Sequence, residues 1–173
     1  MSRKLSDDAP QGATGGADFD LGAFLPYRLN RAAEAISLRF AAHYKARYAM
    51  TRPEWRTMAA LGSYGRMTAT AIGVNATMHK TKVSRAVKSL EDRRWLKRSL
   101  DESDRRVEHL ELTAAGLRIY REMVGLAHAY EQELAGLLGE AGLRQLETGL
   151  DAVEAAMANP KRAARRRAAA AMG

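Results

Sequence analysis

Apolar positions recur at spacings of three and four from Leu21 onward: Leu25, Leu29, Ala32, Ala33, Ile36, Phe40, Tyr44 and Tyr48. That period predicts an amphipathic helix running to about Tyr48, with Pro26 near its start, where a missing N–H does little harm. Thr51, Pro53 and Glu54 then form the opening of a second helix, with a cap, a first-turn proline and a carboxylate three residues on. Trp55, Met58, Ala59 and Leu61 give it an apolar face, and Gly62 and Gly65 are expected to break it. Thr68 caps a short third helix carrying Ala71, Ile72 and Val74. Thr77 or His79 opens a fourth, with Val83, Ala86, Val87 and Leu90 turned inward. After Arg94 the period changes to that of strands. Residues 95–100 and 107–112 read as two short strands joined by the polar loop 101–106. Thr113 caps a long helix bearing Leu117, Tyr120, Met123, Val124, Ala127, Tyr130, Leu134, Leu137 and Leu138. Gly139 and Gly142 bracket a break, and a last helix carries Leu143, Leu146, Leu150, Val153 and Met157 before Pro160.

This order predicts a mainly α fold with a small β wing. Residues 51–112, helix–helix–helix–hairpin, form a winged helix-turn-helix with its own small core. Residues 21–50 and 113–158 are expected to be N- and C-terminal dimerisation helices, since their broad apolar faces have little else to cover them and a second copy is the simplest cover. Residues 1–20 are expected to be a disordered leader and 159–173 a disordered basic tail.

Charge sharpens the picture. The 173 residues carry a net charge of +8, and the pI is about 10.0. The charge is not spread evenly: residues 51–112 carry +5, 113–160 carry −4 and 161–173 carry +5, and residues 79–98 alone hold eight basic and two acidic side chains. Such localisation favours an anionic partner over a merely solvated face. Cysteine is absent, which excludes disulfides, thiolate metal sites and cysteine nucleophiles. The histidines (His43, His79, His109, His128) are scattered, with no metal-ligand spacing. No phosphate loop, HExxH or nucleophile elbow occurs. No cofactor, metal or catalytic residue is therefore expected. Neither a secretory signal nor a membrane span is visible, which makes the cytoplasm the expected compartment.

The fourth helix has the chemistry of a major-groove reader. Lys80, Thr81, Lys82, Ser84, Arg85 and Lys88 offer cations for phosphate and short donors for base edges. Lys80, Lys82 and Lys88 suit phosphate, Ser84 and Arg85 bases. The loop between the strands can reach the flanking minor groove, where Arg105 or Arg106 would be attracted, with Asp104 orienting a guanidinium by paired hydrogen bonds.

The strings LPYRLNRAAEAIS, MTRPEWRTMAALG, HKTKVSRAVKSLE and DESDRRVEHLELTAAG resemble the multiple-antibiotic-resistance regulator (MarR) family over about residues 24–156. The resemblance implies a homodimer joined through its terminal helices, a recognition helix at about 78–93, and a wing held in the minor groove by Asp104 and Arg106. A two-fold dimer would read a pseudo-palindromic double-stranded operator, most simply as a repressor of neighbouring genes. Two positions depart from the family pattern. Arg94 replaces a glycine after the recognition helix, at a cost of about 1 kcal/mol if the left-handed cap is kept, so a reshaped helix end is expected. His79 replaces an aspartate cap, leaving Thr77 as the candidate cap.

Such regulators often bind small aromatic acids or phenols where the dimer helices meet the reading lobe. His43, Arg47, Tyr48, Trp55 and Arg56 are the candidates here, with Arg28 and Asn30 more distant. Trp55 and Tyr48 would form a flat wall, and Arg47 or Arg56 would pair the carboxylate. The competing reading is an architectural DNA-binding protein with little sequence preference and no effector.

Overall fold

The computed structural model describes residues 19–158. The chain divides into two units, 1–39 and 40–173. The described part of the first unit is a turn at 20–24 and the N-terminal part of helix α1 (Leu25–Tyr48). The turn is closed by the Gly22 amide on Asp20 Oδ1 (2.7 Å), and Phe19 packs edge-on against Phe24. The helix starts four residues later than the apolar period alone suggests.

The second unit holds the rest of α1, then α2 (Arg52–Tyr64), α3 (Ala69–Asn75), α4 (Lys80–Asp92), β1 (Leu96–Leu100), β2 (Glu108–Leu112) and α5 (Ala114–Ala158). This is the expected mainly α fold with a small wing. The strands pair antiparallel, Leu96 opposite Leu112 and Ser99 opposite His109, and Met67 adds a single bridge to Leu110. Tyr44, Met58, Leu61, Ile72, Val83, Val87, Leu90, Leu96, Leu110 and Met123 form the core. The amphipathic period of α4 explains its place there: Val83, Ala86, Val87 and Leu90 are all buried.

Thr51 does cap α2 in a full capping box with Glu54. Gly62 does not break that helix, which runs on to Tyr64 and ends at Gly65 in a positive-φ conformation. Gly62 is there for contact: a Cβ would lie 2.4 Å from the Tyr120 ring of α5. Thr113 caps α5, its Oγ1 accepting from the Gly116 amide (3.1 Å) and donating to the Arg94 carbonyl (2.7 Å). The kink in α5 falls at Gly139 (φ 68°), while Gly142 stays within the helix. Val74, one of the apolar residues carried by α3, is 76% exposed; of that seven-residue helix only Ile72 is buried. The expected leader (up to residue 18) and the tail from 159 lie outside the described residues.

Both departures from the family pattern have a structural outcome. Arg94 keeps the left-handed conformation (φ 58°). Its amide donates to the Glu91 carbonyl (2.8 Å) and the Trp95 amide to the Leu90 carbonyl (2.9 Å), the paired bonds of a Schellman cap. The helix end is therefore not reshaped; it carries the conformational cost instead. His79 is the N-cap of α4 but makes no side-chain cap bond. Thr77 is not the cap: it sits outside the helix at φ 50°, where its side chain cannot reach the first amides.

Candidate nucleic-acid interface

Burial of one side of α4 fixes what its other side presents. At about 100° per residue, Thr81, Arg85 and Lys88 lie opposite the buried Val83–Val87–Leu90 stripe, while Lys80 and Ser84 sit on the flank toward α3 and Lys82 on the other. All six are exposed. Lys88 is bound to Asp92 one turn on (2.6 Å), which raises its pKa. Lys80, Lys82 and Arg85 make no ion pair or hydrogen bond among the described residues, so their cations face solvent.

The wing is organised around Asp101. Its Oδ1 accepts from the Ser103 hydroxyl (2.6 Å), the Ser103 amide (2.9 Å) and the Asp104 amide (3.2 Å). These bonds hold its carboxyl well below the usual carboxylate range. The Asp101 amide donates to the Val107 carbonyl and the Val107 amide to that of Asp104, both at 2.9 Å, closing the loop. Arg105 and Arg106 project from it, exposed. Among the described residues Asp104 pairs with no guanidinium. It accepts the backbone amide of Arg106 (2.9 Å), because an Asx turn two residues long reaches its own backbone before any side chain.

Arg98, absent from the sequence-based candidates, joins wing to helix. Its guanidinium spans Glu91 of α4 (2.7 Å) and Glu108 of β2 (2.8 Å). Only the strand register puts the three together, so spacing along the chain carries no signal of it. Glu54 is a second such case. It is buried, and its carboxylate accepts from Ser89 Oγ, from the Thr51 amide (2.5 Å) and from Thr51 Oγ1 (2.7 Å), with Arg93 at 3.8 Å. Burial alone would raise its pKa; the bonds from Ser89 and Thr51 and the Arg93 charge outweigh it and lower the value. Arg93 in turn donates to the Tyr48 (2.7 Å) and Ala49 (2.9 Å) carbonyls. One network thus ties the end of α1, the start of α2 and the end of α4.

The residues proposed for an aromatic effector are brought close but engaged. Tyr48 Oη donates to Glu122 Oε2 (2.5 Å), and Arg47 pairs the same carboxylate (3.2 Å). Burial and that bond raise the Tyr48 pKa. Trp55 packs on Phe40 and Tyr44, His43 lies 3.9 Å from Glu133, and Arg56 is exposed. A cavity of about 510 Å³ opens elsewhere, between α3 and α4, lined by Thr70, Val74, Met78, Ser84, Val87 and Arg98 among others. Arg28 lines a shallower groove on the first unit, while Asn30 is exposed on the same helix. Among the described residues no His/Asp/Glu cluster could hold a metal, and no helix is long and apolar enough to cross a membrane.

Residues 50–107 match the model of the MarR family. Among solved structures, the MarR family transcriptional regulator SPO1453 from Silicibacter pomeroyi is 27% identical at a TM-score of 0.62, over 77% of this chain and 99% of that one. Bordetella bronchiseptica BpsR, whose DNA binding is regulated by 6-hydroxynicotinic acid, is 21% identical at 0.69, over 80% and 98%. NadR in complex with 4-hydroxyphenylacetate is 19% identical at 0.62, over 84% and 97%. No curated protein matches.

Proposed function

We propose that this chain, whose residues 50–107 match the MarR family model, is a homodimeric, sequence-specific binder of a pseudo-palindromic operator. The observation that carries this is the face of α4. Among the described residues Lys80, Lys82 and Arg85 have no partner, and they stand in solvent on a helix whose opposite side is buried. Arg105 and Arg106 extend the cationic surface from the wing. A helix so presented fits the major groove, and the wing the adjacent minor groove. Lys80, Lys82 and Lys88 then position the helix on phosphates, Lys88 after exchanging Asp92 for phosphate. Thr81, Ser84 and Arg85 face base edges. Replacing Lys82 by Ala should weaken all duplexes alike and lower the salt slope by roughly one, while Arg85→Ala should relax preference at one base pair. Equal, sequence-independent losses from both would point to the architectural reading instead. In the dimer, the exposed Leu137, Leu138, Leu150 and Met157 of α5 and the Leu25–Leu29 face of α1 are covered by the second copy; sedimentation should give twice the chain mass.

The effector reading is an aromatic hydroxy acid acting as a release signal for a repressor, in keeping with the ligands of BpsR and NadR. Two places are open to it. The α3–α4 cavity offers apolar walls, with Arg98 in its lining, although that cation would have to exchange Glu91 or Glu108 for the ligand; a ligand there would cover Ser84 and compete with DNA. The Tyr48–Trp55 junction, with Arg47, Arg56 and His43, would require displacing Glu122. Titrating hydroxybenzoates against the protein–DNA complex of Met78→Trp and Trp55→Ala variants separates them. Release lost only in Met78→Trp assigns the cavity, release lost only in Trp55→Ala the junction, and release retained in both variants sets both aside.

A further inference from the structure

The wing contains a group that DNA contact alone does not use. His109 Nε2 lies 3.0 Å from Asp101 Oδ2, the carboxylate whose other oxygen holds the Ser103 and Asp104 amides of the loop. Ionised Asp101 only accepts, so Nε2 is the donor and carries the proton. His109 Nδ1 is shut off from solvent and without a hydrogen-bond partner. Ser99 stands directly opposite in the strand register, and its Oγ is buried and unpartnered too. A hydroxyl can donate to a neutral Nδ1 or accept from a protonated one, so Ser99 can serve either state of the ring after a rotation.

We propose that His109 is a positioning residue of the wing, whose protonation tightens its grip on Asp101 and so fixes the loop that presents Arg105 and Arg106 to DNA. This rests on the DNA-binding reading above. Charging the ring turns a neutral–ionic contact into an ion pair, and such bonds are the stronger and better-oriented ones. The remaining charged groups do not take over this role. Lys97 and Glu111, next along the same face, are paired with each other (3.2 Å). Arg98 and Glu108 pair on the opposite face. Arg66 reaches the Leu100 carbonyl from beyond α2 (3.5 Å). Glu102 and Asp104 lie in the loop itself, with Asp104 held by the Arg106 amide. Loop order and DNA affinity therefore both rise as the ring takes up a proton.

The test uses the full chain with His43, His79 and His128 replaced by Gln, leaving His109 as the single histidine. Its ring titration is followed by NMR beside the backbone amides of Ser103, Asp104 and Arg106. The amides should shift with the midpoint of the ring; amides that stay still, or move at another midpoint, overturn the proposal. A duplex selected from a random library by the wild-type protein then serves as probe at fixed ionic strength. Affinity should rise roughly three- to tenfold from about pH 8 to about pH 6. His109→Gln, which keeps a donor but cannot charge, should bind as the parent does at the higher pH and lose the rise. His109→Leu should bind more weakly at both. A rise that survives in His109→Gln overturns the proposal. Failure to select any duplex would count against DNA binding itself, and the amide titration would still decide the coupling of His109 to the wing.

Discussion

Residues 51–112 and the distal limb of α5 are both rich in apolar residues but place them differently. In the lobe, Ile72, Val83, Val87, Leu90, Leu96 and Leu110 are each 3% exposed or less. In the limb after Gly139, Leu150 is 43% and Met157 70% exposed, and Leu137 just before the kink is 61% exposed. The lobe closes because α2, α3, α4 and the hairpin, with Tyr44 of α1 and Met123 of α5, surround one small core. A lone amphipathic helix has no such partner within its own chain, and its apolar stripe is an unfilled demand for another surface. The difference separates what the chain covers for itself from what another surface would have to cover.

The sharpest way to break this contrast is truncation on each side of it. Leu90→Ala, at a site with no exposure, should cost about 2–5 kcal/mol of stability and abolish DNA binding by unfolding. Leu150→Ala should leave lobe stability unchanged and weaken self-association. Denaturant unfolding read beside sedimentation compares them; equal loss of stability from both would erase the distinction.

Glu54 tests whether the lobe also depends on its polar core. Glu54→Ala strands the Thr51 amide, the Ser89 hydroxyl and Arg93, and should cost about 3 kcal/mol. The pKa of Glu54 is lowered in the folded state. Its contribution is therefore complete above the ordinary carboxylate pKa and is lost as pH falls through the lowered value. Unfolding free energies of wild type and Glu54→Gln should converge as pH is brought down through the lowered value, and a gap that widens instead would contradict the assignment.

Surface residues of the lobe should show the reverse pattern. Arg106→Ala should weaken binding to a selected duplex by about 1–3 kcal/mol while the unfolding midpoint stays in place. Wild-type affinity in that variant would remove the wing from the interface. The smallest effect concerns Arg94. Its left-handed backbone without glycine should make Arg94→Gly more stable by about 1 kcal/mol, measured by thermal unfolding; an unchanged or lowered midpoint would contradict this.

What was legible in the sequence followed from periodicity and caps. The stripe Val83–Leu90, the Thr51–Glu54 box and the Thr113 cap are local, and each element they imply is present. What was not legible depends on residues far apart in the chain. Gly62 reads as a breaker until Tyr120 is known to lie on it. Arg98 gains its role from Glu91 and Glu108 only once the strands pair. Glu54 reads as a cap and is also the partner of Ser89. The positive φ of Arg94 shows the other limit: a missing glycine predicts a changed cap, whereas tertiary bonds from Thr113 and the two Schellman amides keep the geometry. For the interface itself, residue chemistry on an exposed helix face was enough to name the candidates, but not to separate the free Lys80, Lys82 and Arg85 from Lys88, which Asp92 holds.

The central claim, that two copies of this lobe read DNA through α4, is tested most directly by selecting duplexes from a fully random library with the wild-type protein at moderate salt and sequencing the bound fraction. The account predicts an enriched inverted repeat whose half-sites are centred about one helical turn apart. A bound fraction with the base composition and order of the input library would contradict it.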